Sequence, residues 1–262
     1  MSLFDRIVNE TAESGIAPLE LKFTAIHDCY NSRPLAYRTE TELFCSAIGK
    51  MNDFIEKIDS NVTGKEFSYR NIIRSIDAIR AMEQAGRKIN YVSISATTSF
   101  LTQESLYEVL KDLFDRESFT KTDKICLEFT KNVLSSDREA VRKGLADLKV
   151  LGVKTMISGF ASDGFPTSAL LDVAVDSVIL APEITALSLD RNKPGVLSSL
   201  IRFIKSMDVA VIAEGVRNDD ELRELNKAEC FGFIPADDYS GRFVFPAKKR
   251  DLTSALSDKE DV

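Results

Sequence analysis

Short apolar runs of strand length alternate with amphipathic runs of helix length along almost the whole chain. This rhythm is the tightest constraint on the fold. Strand candidates fall at 19–26, 89–95, 124–129, 153–157, 176–180, 209–213 and 242–245, with a weaker one at 35–38. Helix candidates fall at 42–58, 69–85, 104–114, 137–151, 167–173, 194–207 and 219–228. The run 42–58 carries Leu43, Phe44, Ala47, Ile48, Met51, Phe54, Ile55 and Ile58 at helical spacing. The run 69–85 does the same with Ile72, Ile73, Ile76, Ile79, Ala81 and Met82. Asp137 and Asn218 have the short polar side chains of N-caps. Gly86 and Gly152 sit where helices stop, and Pro194 suits a first helical turn. All-apolar strands fit burial on both faces, as in a parallel sheet. Eight of them alternating with about as many helices in 262 residues match a (β/α)8 TIM-like barrel. A doubly wound open sheet is the alternative. The short turn Asn31-Ser-Arg-Pro34 predicts a hairpin, which makes the first two strands antiparallel.

In such a barrel, active sites form at the rim made by the C-terminal strand ends. The run Asp208-Val-Ala-Val-Ile-Ala-Glu-Gly-Val-Arg217 ends its apolar stretch in Glu214. Ile125-Cys-Leu-Glu-Phe-Thr130 likewise carries Glu128. A carboxylate there is badly placed for stability and well placed for chemistry.

Composition narrows the remaining classes. A net charge of −7 argues against a broad nucleic-acid surface, which needs clustered Lys and Arg. No apolar run is long enough to span a bilayer, and the N-terminus lacks a signal-peptide core. A soluble, cytoplasmic protein is expected. Cys29, Cys45, Cys126 and Cys230 form no C-x-x-C pair, and with the single His27 they make no zinc pattern. They read as reduced structural thiols, and His27 as a loop or strand-end residue. There is no phosphate-binding glycine loop and no nucleophile elbow. The small-residue stretch from Ser158 to Phe165 can bind an anion, though such a stretch is more often only a flexible βα loop. The expected division is an N-terminal segment at 1–18, a barrel at 19–247 and a polar tail at 248–262. Leu3, Phe4, Ile7 and Val8 have the spacing of a docking helix, although packing onto the barrel is the commoner fate.

Several motifs resemble those of the EAL-domain family, the cyclic di-GMP phosphodiesterases. Ile212-Ala-Glu-Gly-Val-Arg217 resembles the family's A-E-G-V-E, and Leu127-Glu-Phe-Thr-Lys131 its E-x-T-E segment. Ile157-Ser-Gly-Phe-Ala161 sits where the family has D-D-F-G, and Val175-Asp176 resembles the end of L-P-V-D. Tyr91-Val-Ser-Ile-Ser95 is similar to the V-N-x-S strand. Phe23-Thr-Ala-Ile26 and Ala36-Tyr-Arg-Thr-Glu40 resemble the Q-P-I strand and the E-A-L signature, and Cys230 the cysteine of the late G-C segment. The resemblance covers roughly residues 19 to 246. It implies an EAL-type barrel with the first strand antiparallel. It also implies a rim site in which Mg²⁺ or Mn²⁺ activates water against a phosphodiester of cyclic di-GMP.

The same resemblance turns against catalysis. The signature glutamate, a metal ligand, is replaced by Arg38, and the metal-binding asparagine by Ser93. The two adjacent aspartates are Ser158 and Gly159. The lysine that helps position water is Ile179, and the aspartate two residues on is Ala181. The second glutamate of E-x-T-E is Lys131, and the last of A-E-G-V-E is Arg217. The substrate-contacting glutamine appears as Thr24. Only Glu128 and Glu214 remain of the metal set. Three lost acids and the added Arg38, which cannot ligate a metal, imply no metal, no cofactor and no phosphodiesterase activity. Two arrangements of Arg38 are open: bridging Glu128 and Glu214 in place of the metal, or pointing to solvent. The expected function is a catalytically inactive regulatory module that binds a protein partner, with a homodimer plausible through the surface at Phe160–Leu171. The alternative is a metal-independent effector that uses Arg38, Lys131 and Arg217 to bind an anion or cyclic di-GMP. The loss of the glutamine and of the E-A-L signature counts against cyclic di-GMP itself.

Overall fold

The computed structural model describes residues 19–43, 58–59, 62–162 and 167–240. The expected segments 1–18 and 248–262, the strand at 242–245, most of the helix at 42–58 and Cys45 lie outside the described residues. Eight strands close into one barrel in sequence order. They are β1 (Leu19–Asp28), β2 (Pro34–Leu43), β3 (Val92–Ser95), β4 (Ile125–Phe129), β5 (Lys154–Phe160), β6 (Ser177–Leu180), β7 (Ala210–Val216) and β8 (Gly232–Pro235). β1 is antiparallel to both its neighbours, and every other pair is parallel. The described helices are α1 (Val62–Gln84), α2 (Thr98–Leu101), α3 (Leu106–Arg116), α4 (Arg138–Val150), α5 (Pro182–Thr185), α6 (Val196–Lys205), α7 (Asp219–Lys227) and α8 (Asp237–Ser240).

The hairpin between β1 and β2 has a local cause. The Asp28 carboxylate accepts the backbone N–H groups of Tyr30 and Asn31 at 2.7 and 2.9 Å. Asp28 N then donates to the Arg33 carbonyl at 2.9 Å. Side chains that bond their own backbone in this way make tight turns. The helix signals also act as expected. Asp137 and Asn218 cap α4 and α7, and Gly86 and Gly152 follow their helices in the left-handed conformation.

Four expectations need correction. The strand that closes the barrel is Gly232–Pro235, a run not among the expected strands. Its Gly and Pro read as loop punctuation, but two antiparallel pairs with β1, His27–Phe233 and Asp28–Gly232, close the barrel through it. β2 extends to Leu43, so Glu42 and Leu43 belong to a strand and not to a helix start. β-branched Thr39 and Thr41 stand opposite Phe23 and Leu21 and carry the ladder outward. Residues 167–172 form a 3-10 turn instead of an α-helix. Pro194 precedes α6, whose N-cap is the left-handed Gly195.

Period-two alternation sorts each strand into two sets. On β4, Ile125, Leu127 and Phe129 face the helices and join the main core. Cys126 points the other way, into a second cluster with Ile26, Ala36, Tyr91, Met156, Ile179, Ile212 and Ile234. Each strand, or the residue just before it, supplies one member. This apolar ring fills the barrel interior, as expected for a packed core rather than a pore.

Candidate functional site at the barrel rim

One layer above the ring, two residues along each strand, come Arg38 on β2, Ser93 on β3, Glu128 on β4 and Glu214 on β7. Thr24 reaches the same level on antiparallel β1, where it pairs with Arg38. The alternation that hides the ring therefore aims these polar groups at a common centre.

Arg38 occupies that centre, which is the bridging arrangement. Its Nε donates to both Glu128 oxygens at 3.1 and 3.0 Å, and one terminal nitrogen donates to Glu128 Oε1 at 2.6 Å. The other terminal nitrogen donates to Glu214 Oε1 at 2.7 Å. Ser93 Oγ, fully buried, donates to Glu128 Oε2 at 3.0 Å. Glu128 is only 4% exposed, against 16% for Arg38 and 27% for Glu214. A buried carboxylate is costly unless it is paired and hydrogen-bonded. Glu128 has both forms of compensation, and the planar guanidinium fork supplies most of it.

Backbone irregularities sit beside this cluster. β5 is bulged between Ile157 and Phe160, and β7 between Glu214 and Val216. Bulges re-aim side chains at barrel rims. The β7 bulge carries Gly215 at φ +79°, where a Cβ would approach Pro182 Cβ to 3.0 Å. Only glycine meets both demands without strain. Gly159 fills the equivalent place in the β5 bulge, and Ser158 Oγ donates weakly to the Phe129 carbonyl at 3.4 Å.

Other expected site residues are distributed differently. Ile179 belongs to the apolar ring, one layer below the polar groups, and is fully buried. Ala181 is the N-cap of α5. Lys131 opens the 3-10 turn after β4. Arg217 does not join the two rim glutamates. Its backbone N–H, Nε and a terminal nitrogen all donate to Glu221 on α7, at 2.7, 3.2 and 2.9 Å. Glu221, 2% exposed, is the functional neighbour that the sequence reading missed. Its signal was the i, i+4 spacing from Arg217 behind the Asn218 cap.

The donor set does not fit a divalent cation. Hard cations take about six oxygen ligands, mostly carboxylate. Here two carboxylates are already engaged by a guanidinium that lies between them. Among the described residues no group of three or more His, Cys, Asp or Glu side chains is arranged to hold a metal. Among the described residues no cysteine is exposed as a nucleophile. Burial pushes the Cys126 thiol well up, and the nearby Glu128 carboxylate acts the same way. Cys29 and Cys230 are also buried and free.

Fold and site together define a class: an eight-stranded β/α barrel with an antiparallel first strand and charged groups gathered at its C-terminal rim. Solved structures share this fold. The EAL enzyme Bd1971, in a form bound to cAMP and cyclic di-GMP, aligns with a TM-score of 0.76 at 19% identity, covering 93% of this chain and 69% of that one. The FimX EAL domain from Pseudomonas aeruginosa bound to c-di-GMP aligns at 0.74 and 14% identity, covering 89% and 94%. An EAL domain protein from Listeria monocytogenes EGD-e gives 0.69 and 16%, covering 90% and 92%. No curated protein matches the chain. The EAL domain family pattern matches residues 15–233, and the chain belongs to that family. No described helix is long and apolar enough to cross a membrane.

Proposed function

We propose that this chain is a non-catalytic EAL domain that works as a regulatory protein-interaction module in cytoplasmic, cyclic di-GMP-related signalling. The observation that carries this reading is Arg38, whose guanidinium lies between Glu128 and Glu214. Metal-assisted hydrolysis needs open coordination positions and a bound water made acidic by the cation. A guanidinium offers neither, because it is donor-only and stays protonated. Lys131 and Arg217 stand in place of two further acids of the family pattern, and Arg217 is already committed to Glu221.

Purified protein incubated with cyclic di-GMP and Mg²⁺ or Mn²⁺ is expected to leave the nucleotide intact. Linear product formed at a rate proportional to protein concentration, and abolished by Glu128→Gln, would overturn the reading.

The second reading is a metal-independent effector of an anionic ligand. It is favoured by an open groove of about 1300 Å³ that reaches the rim at Thr24, Glu214 and Arg217. Calorimetry with cyclic di-GMP, with and without Mg²⁺, separates the two. Saturable heat in the absence of metal supports the effector, and no heat supports the module.

A further inference from the structure

The groove that touches the rim does not end there. It runs down the outer wall of the barrel beside β1 and β2 to the opposite end, where Arg33, Arg87 and Lys88 line it. The fold explains why this wall is open among the described residues. In a (β/α)8 barrel each strand is followed by a helix that covers the outside. β1 passes to β2 by a hairpin, so the helix that would lie between them is missing. Among the described helices, none makes a substantial contact with β1.

The lower end of the groove is a built surface. Asn90 N donates to the Leu35 carbonyl at 2.9 Å, tying the loop that carries Arg87 and Lys88 to the start of β2 beside Arg33. Half-buried Phe23, Ala25 and Tyr37 give an apolar floor. Among the described residues, Arg33, Arg87 and Lys88 have no ion-pair partner, in contrast to Arg38, Arg80, Lys121, Lys124 and Arg217. The nearest acids in sequence are engaged elsewhere, Asp28 by the hairpin backbone and Glu83 by Lys121 and Lys124. Three unpaired cations on one face stand out in a chain of net charge −7.

We propose that this groove docks an acidic peptide segment of a partner protein, with Arg33, Arg87 and Lys88 meeting its carboxylates and the β1–β2 wall meeting its apolar side chains. The proposal rests on the protein-interaction reading above and gives that reading a surface. The volume of about 1300 Å³ exceeds the roughly 300–1,000 Å³ of ordinary small-molecule sites. A peptide in extended form sends alternate side chains to opposite sides, so one edge can carry acids and the other apolar groups. A second copy meeting the same face in a two-fold dimer would set these cations against themselves. Nucleic acid would need a positive field that the acidic remainder of the molecule opposes.

The test is a fluorescence-anisotropy titration of the full chain with a short labelled peptide of alternating Glu and Leu. A Lys–Leu peptide and a single-stranded oligonucleotide are run beside it. Saturable, salt-sensitive binding of the Glu–Leu peptide alone is expected. Arg33→Glu with Arg87→Glu and Lys88→Glu should weaken it by roughly tenfold or more. The Gln versions at the same three positions should fall between, and an unchanged thermal midpoint will show that all variants fold. Three results overturn the proposal. They are no saturable binding, equal binding of the Lys–Leu peptide or the oligonucleotide, and binding indifferent to the three substitutions. Light scattering that shows concentration-dependent dimers lost in the same variants would assign the face to a second copy and overturn it too. Failure here leaves the non-catalytic reading standing, and hydrolysis of cyclic di-GMP would remove that reading without touching the titration.

Discussion

Replacing Arg38 with methionine isolates the energetics of the rim. The change keeps much of the side-chain volume and removes all the donors that reach Glu128 and Glu214. Glu128, 4% exposed, would keep only the Ser93 hydroxyl. Stranding one member of a buried ion pair costs about 3–5 kcal/mol. The Glu214 contact is more exposed, and water replaces most of it, so it adds under about 1 kcal/mol. The remaining hydroxyl bond pulls the total to the lower end, about 3 kcal/mol. Urea unfolding followed by far-UV circular dichroism measures this. With a slope of about 3 kcal/mol per M, the midpoint falls by about 1 M. The companion variant Arg38→Met with Glu128→Met removes both charges. Burying apolar groups in their place recovers most of the loss, because no orphaned charge remains. A midpoint shift below about 0.3 M for Arg38→Met would refute the reasoning. So would a double variant whose cost equals the sum of the singles within about 0.5 kcal/mol, because residues in contact must couple.

Three further outcomes follow from the same geometry. Arg38→Glu gathers three carboxylates in one layer, so it destabilises the fold, and Mn²⁺ in a thermal-shift assay raises the melting point of this variant but not of the unsubstituted chain. Glu221→Ala removes the acceptor of three bonds from Arg217 and should cost about 2 kcal/mol in a urea titration, most of it from the part-buried bond to the backbone N–H. His27 is buried against Phe233, and burial lowers its pKa from the ordinary value near 6.5, despite the bond between Nδ1 and the Ser32 carbonyl. The unfolded chain therefore binds the proton first as pH falls, so stability is full above about pH 6.5 and declines below it. His27→Phe should flatten the urea midpoint between pH 7 and pH 5, and an unchanged slope would assign it to other groups.

Those predictions depend on features that the sequence exposed unequally. The barrel was legible because a strand covered on both faces is mostly apolar, and Ile125–Phe129 and Ala210–Val216 show that pattern apart from one glutamate each. The level of the site was legible for the same reason: Glu128 and Glu214 are the charges that interrupt those runs. β8 was not legible, because four residues closed by Gly and Pro carry less local signal than the later run at 242–245. Its pairing comes from barrel closure, a long-range constraint. Ile179 was placed among the site residues by its position in a motif, whereas alternation on β6 puts it with Ile212 in the ring. Arg217 was counted as a rim cation from its place in the motif, without its local partner Glu221. The Asn218 cap turns Glu221 back toward it, and this capping geometry decides where the guanidinium goes.

Arg38 also accounts for how a barrel can keep two acids in one rim layer without a metal between them. Two glutamates in one layer repel each other and are desolvated, so a chain that drops the cation and keeps both acids carries a standing penalty. A neutral replacement at position 38 would leave that penalty in place. An arginine supplies a fixed positive charge and three directed donors at the level where the ion would sit. It differs from a metal in the property that matters for chemistry, because it presents no acidic water and no vacant ligand position. On the non-catalytic reading proposed above, the group that stabilises the rim is also the one that closes it to hydrolysis. On that reading the barrel works through its surface, and the groove along the β1–β2 wall is one open face among the described residues.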